Sequence, residues 1–174
     1  MIPRLAHLTA LIFSGIFAGF LIAVLVVELS MRDATATVYT QVRQIELEGL
    51  DVLATVTLLP ALIATALIIA TRFREPGRTR WLPIIAFALL AAVLILTIIV
   101  NLPINADQRD WIPATPPADW ATIRDHWQLS HAIRTVAATL AFILTAAMTF
   151  QRWPGGCCGR GSGVRLGKWR SRAM

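Results

Sequence analysis

Apolar residues run through this chain in long blocks, unlike the alternating or one-sided patterns of a soluble core. Residues 8–29 carry no charge before Glu28, and 52–71, 81–100 and 135–150 carry none at all. A helix rises about 1.5 Å per residue, so a hydrocarbon core of ~30 Å takes about 20 residues to cross. The first three blocks meet that length directly. The fourth falls short, and its span reaches back to about His131, which brings His131 and Arg134 to the membrane boundary. Spans at 8–29, 52–71, 81–100 and 131–150 predict an all-α fold, an integral membrane four-helix bundle.

The connections differ in kind. Residues 72–80 form a short link with a Pro76-Gly77 turn signal, as expected between antiparallel helices. The other two, 30–51 and 101–130, are long and hold most of the polar residues outside the C-terminal tail. In the first, Val38, Val42, Ile45 and Leu50 approximate a helical stripe and predict a short amphipathic helix near the outer interface. The second is read as a long structured loop with turns at Pro113, Pro116 and Pro117. Ala34-Thr35-Ala36 resembles a leader-peptidase site, but the apolar run before it exceeds the about 7–15 residues of a signal h-region, so the first block is read as a span.

Composition supports the same picture. Of 174 residues, 56% are apolar and 15% charged, against about 45–50% and roughly 25% in ordinary globular chains. The net charge of +6 is unevenly placed. Arg4, the arginines of 72–80 and the basic residues after 151 fall on one side of the spans with only Glu75 against them. The other side is acidic. The positive-inside rule then puts both termini in the cytoplasm of a plasma-membrane protein. The high pI is a topology signal rather than a sign of nucleic-acid binding, and no nucleic-acid partner is expected. The lipid bilayer is the expected partner, with a homo-oligomer or a second membrane protein left open.

Residues 1–151 are taken as the transmembrane domain, and 152–174 as a basic, Gly-rich, disordered tail attracted to anionic lipid. Cys157-Cys158 in that tail is expected to stay reduced in the cytoplasm. Gly15 and Gly19 have the small-xxx-small spacing that lets membrane helices approach closely. Pro83 sits near a helix start, where it costs little, while Pro60 lies mid-span and can kink its helix.

Candidate chemistry concentrates between 101 and 134. Asn101-Leu102-Pro103-Ile104-Asn105 places two carboxamides four positions apart where a span leaves the bilayer. Arg124, Trp127, His131 and Arg134 follow at steps of three, four and three, one face of one helix, and the face continues into Ala138 and Ala141. These polar side chains are therefore expected to point into the bundle. Trp111, Trp120 and Trp127 fit an aromatic belt, and His126 a solvated position. A cation at membrane depth needs a counter-group. Glu28 is the first choice for Arg134 and Asp51 the second, and either pair is a sufficient structural account of the charge. The His, Arg, amides and Trp rings also make a pocket suited to a flat, weakly acidic molecule.

Asn-x-Pro-x-Asn at 101–105, then Trp120, Arg124, Trp127, His131 and Arg134 leading into a last apolar span, resembles the anthrone-oxygenase-like family, also described as domain of unknown function 1772. The likeness covers nearly all of the hydrophobic chain and excludes the tail. It implies a small integral membrane protein and, in some members, oxidation of a polyketide anthrone to an anthraquinone by dioxygen without a recognised metal or flavin. On that reading His131 is the general base. Arg134, Asn101 and Asn105 stabilise the resulting anion, and Trp120 and Trp127 stack on a planar ring, with Arg124 beside them. No cofactor is expected, and dioxygen is the co-substrate. A haem or copper on His131 is the alternative, whereas three His and two Cys on opposite sides of the membrane do not make a usual zinc site. The competing reading is a non-catalytic accessory or small-molecule-binding protein whose polar cluster is structural. No P-loop, dinucleotide fingerprint, serine-triad motif or HExxH motif is present.

Overall fold

The computed structural model describes residues 2–72 and 80–151. The Pro76-Gly77 link and the tail with Cys157-Cys158 lie outside these residues. Among the described residues five α-helices follow one another: α1 (Ile2–Ser30), α2 (Ala36–Arg72), α3 (Trp81–Leu96), α4 (Leu102–Arg109) and α5 (Trp120–Gln151). A π-helical turn, Thr97–Asn101, joins α3 to α4 so that the third span continues as one rod to Arg109. Among the described residues four helical rods are long and apolar enough to cross a membrane, and the chain is a multi-pass membrane protein.

Around the bundle α1 packs on α2 and α5, and α3 closes the ring by packing on α5 and α2. The core is a layer of Phe17, Leu21, Leu58, Ala61, Leu90, Val93, Ala138 and Ala141. The small residues of α5 let the helices approach, and polar groups buried beside them are answered locally. Thr97, Thr135 and Thr139 each donate a hydroxyl to the carbonyl four residues back, at 2.7 to 2.8 Å. Ser14 and Thr145 bond to each other across α1 and α5 at 2.9 Å.

The small-residue motif divides. A Cβ on Gly15 would come within 3.0 Å of the Phe142 ring, a true close approach, whereas one on Gly19 would meet nothing.

Two boundaries differ from the sequence expectation. The amphipathic helix predicted around 38–50 is not separate. It is the first part of α2, which runs unbroken past Gly49 and through Pro60, since packing partners and local adjustments carry a membrane helix over such residues. Its faces are also assigned by burial of polar groups: Tyr39, Thr40, Arg43 and Leu47 point inward, while Val38 and Ile45 are exposed. The third span likewise continues beyond residue 100, so that only 31–35 and 110–119 remain as connections at what we call the loop end.

The π turn has a positional consequence. Val93, Thr97, Asn101 and Asn105 are spaced by fours, and each such step overshoots an ideal α-helical turn by roughly 40°. Three steps would swing Asn105 off the inward face. The wide turn, in which Leu102 N–H reaches back to Thr97 O, takes that rotation back just before Pro103, which has no amide to give. Asn101, Asn105 and Gln108 are all buried as a result.

Candidate functional site

Near the loop end the four rods enclose a cavity of about 150 Å³. α1 supplies Phe17, Leu21 and Val24, α2 contributes Arg43 and Asp51 among others, the third rod adds Thr97 and Asn105, and α5 brings Trp127, His131 and Arg134. The three α5 residues reach it because steps of four and three keep them on one face.

The side of the cavity toward α2 and α4 is a polar cluster built on Arg43, only 2% exposed. Its Nε donates to Gln108 Oε1 at 2.9 Å, its Nη2 to Asn105 Oδ1 at 2.8 Å and its Nη1 to Glu46 Oε2 at 2.9 Å. Nη1 is also 3.3 Å from Glu28 Oε1, an ion pair with both side chains buried. The guanidinium carbon lies 3.9 Å from the centre of the Trp127 ring. Asn105 Oδ1 accepts a second bond, from Trp127 Nε1 at 2.7 Å, and Asn105 Nδ2 donates to Asp51 Oδ1 at 3.3 Å. Gln128 Nε2 donates to Glu28 Oε2 at 3.1 Å. Each of the three guanidinium nitrogens of Arg43 thereby has a partner.

The α5 side is unsaturated. Trp127 stacks on the His131 imidazole, with centroids 4.7 Å apart and planes within 7°. His131 Nε2 lies 3.0 Å from Leu21 O. A carbonyl only accepts, so this nitrogen carries the proton, and in the neutral ring Nδ1 is left with its lone pair. Nδ1 is buried and has no hydrogen-bond partner among the described residues, so its lone pair is unused. One turn on, Arg134 is 5% exposed, lines the cavity, and makes no hydrogen bond or ion pair with the described residues; its Nε is buried and unpartnered among them. Asp51 acts on it only at a distance.

The expected ion pair of Arg134 is therefore corrected. Glu28 pairs with Arg43, which the short 31–35 connection brings beside it, and Asp51 is held by Arg109 and Asn105.

The other predicted residues separate into two sets. Asn105, Trp127, His131, Arg134 and Asp51 meet at the cavity. Asn101, Trp120 and Arg124 do not line it. Asn101 Oδ1 accepts from Ser130 Oγ at 2.9 Å. Trp120 packs on Tyr39, with centroids 5.6 Å apart, and under Arg124, which donates to Arg32 O and pairs with Asp125. Asn105 has both ends of its amide engaged, and Trp127 already carries Arg43 and His131 against its ring, so both act as supports. Trp111 and Trp127 are buried inside the chain rather than at a lipid-facing belt, because each indole N–H finds an acceptor there, Asp107 and Asn105 respectively. His126 is exposed.

Sequence reasoning missed Arg43, Gln108, Tyr39 and Gln128. The recurrence of Tyr39, Arg43 and Leu47 at steps of four was the available signal. Among the described residues no group of three or more His, Cys, Asp or Glu stands together to hold a metal ion.

Against known proteins, a family model described as anthrone oxygenase matches residues 51–144. That range contains the whole α5 side of the cavity, while Glu28 and Arg43 precede it. No curated protein and no solved structure matches the chain.

Proposed function

The chain belongs to the anthrone oxygenase family, and from that premise we propose that it oxidises a planar, electron-rich phenol or anthrone with dioxygen inside this cavity. The observation that carries the reading is the pair left open on α5, a basic His131 Nδ1 and an unpaired Arg134, side by side in a largely apolar pocket.

His131 takes a proton from the acidic C–H, or from the phenol O–H of its tautomer. Its tautomer is set by Leu21 O and its plane by Trp127. Arg134 faces the developing anion, and a buried cation with no carboxylate bonded to it stabilises charge strongly. The anion passes one electron to dioxygen, and the carbon radical and superoxide join through a C–O bond. The proton held by His131 completes a hydroperoxide. Loss of water, with departure of the second C–H proton and cleavage of the O–O bond, leaves a carbonyl. In sum CH2 and O2 give C=O and H2O.

Dioxygen consumption by purified protein in detergent, offered anthrone, tests this. Turnover is expected to fall by about 10²–10⁴ in His131→Ala, the usual worth of a general base, with the variant still folded. Undiminished turnover in that variant would remove His131 as the base. Dioxygen is taken as the sole co-substrate. Stoichiometric iron or copper in active protein, with activity lost on chelation, overturns that point.

The arginine bias further supports a plasma-membrane orientation with cytoplasmic termini and the cavity toward the exterior. Alkaline phosphatase fused after Met174 should then be inactive.

A further inference from the structure

The cavity is closed by buried or half-buried side chains on α1 and α5. The exposed residues in its wall all belong to α2 and the third rod: Thr55, Leu59 (43% exposed), Ile98 (54%) and Leu102 (42%). These two rods are also the neighbouring pair with the thinnest mutual packing. The exposed residues of the rim are apolar apart from Thr55, whose hydroxyl is spent on Asp51 O at 2.8 Å, and the half-buried Asp51 beside it is paired with Arg109. An apolar opening within the spans of a membrane bundle faces hydrocarbon, so the cavity opens sideways into lipid.

Its size limits what it encloses. An apolar cavity of about 150 Å³ takes one benzene ring, and this one measures about 150 Å³. A molecule of two or three fused rings cannot be wholly enclosed, and among the described residues the exposed part of the wall lies at the α2–α3 gap. The two lining residues with an unpartnered buried polar atom, His131 and Arg134, stand on α5, across the ring of helices from α2.

We infer that the site holds a planar weak acid edge-first, with the ring bearing the acidic group buried against His131 and Arg134 and the remaining fused rings lying in the α2–α3 gap against lipid. This deepens the functional reading above and rests on its assignment of the cavity as the substrate site.

The test measures equilibrium binding of radiolabelled phenol and 1-naphthol to the protein in nanodiscs, with empty nanodiscs subtracting lipid partition. The parent protein should bind 1-naphthol more tightly than phenol. Filling the gap with Ile98→Trp, or with Leu59→Trp should the first variant misfold, should weaken 1-naphthol about tenfold and leave phenol within about twofold. Val136→Trp, on the lipid face of α5, should change neither. Arg134→Met should weaken both probes.

If Arg134→Met loses binding while both gap variants keep the 1-naphthol preference, the gap placement is wrong and the cavity assignment stands. Loss of phenol and 1-naphthol alike in the gap variants also overturns the edge-first arrangement. Binding that none of the variants changes overturns both readings. A parent protein that binds neither probe overturns this inference, and the anthrone turnover assay then decides the functional reading by itself.

Discussion

Two buried arginines stand a few side chains apart and have opposite surroundings. Arg43 is held by Glu28, Glu46, Asn105, Gln108 and the Trp127 ring. Arg134 has no hydrogen-bond or ion-pair partner among the described residues, and its Nε is buried. A cation fully answered by its own protein joins helices, here linking α2 to α1, α4 and α5. An unanswered cation costs stability, and a fold that retains one keeps a place for charge that arrives later. The first arginine is architecture, and on the proposed reading the second is the working end of the site.

The largest effect expected from this contrast is on folding. Arg43→Ala leaves Glu28 buried without its cation and strips Asn105 and Gln108 of a donor. Breaking a buried pair from one side costs about 3–5 kcal/mol, so the thermal midpoint in detergent should collapse. Arg134→Met should leave that midpoint unchanged or raise it, because it removes an uncompensated charge and keeps the volume. Comparable destabilisation in both variants would erase the distinction. On turnover the order reverses, and Arg134→Met should cost about 10²–10³, the range for losing one transition-state donor.

A smaller effect isolates the wall between the two arginines. Trp127→Phe keeps a ring against Arg43 and His131 but removes the N–H that Asn105 Oδ1 accepts at 2.7 Å. Arg43 still satisfies that oxygen, so the loss should be about 1 kcal/mol. A turnover deficit much beyond this would mean that the indole tilts His131 away from its working plane.

The contrast was half legible in the sequence. Charge-free runs of membrane length dictate four rods, and the spacing of Trp127, His131 and Arg134 puts them on one inward face. Arg43 was hidden because a single arginine among alternating polar and apolar residues reads as a solvated face. Its acceptors at 105 and 108 come from a different span. The π turn that aims those acceptors inward leaves no composition signal beyond the proline that follows it. The counter-charge of Arg134 was misread for a related reason. Depth in the membrane limits which carboxylates are near, but which cation wins Glu28 depends on the short turn that sets α2 against α1.

The smallest effect concerns a third arginine, which is paired and yet belongs to neither class. Arg109 bonds to Asp51, but its side chain is 51% exposed, and exposed pairs contribute about 0–1 kcal/mol. Arg109→Ala should therefore shift stability by no more than about 0.5 kcal/mol. Asp51 still receives Asn105 Nδ2 and stays in the cavity wall, now with one less cation against it. Its negative field reaches Arg134 at a distance, so an anionic ligand should bind about twofold more weakly in this variant, and less so as salt is raised. A strong loss of folding in Arg109→Ala would show that pairing alone, buried or not, decides which arginines are structural.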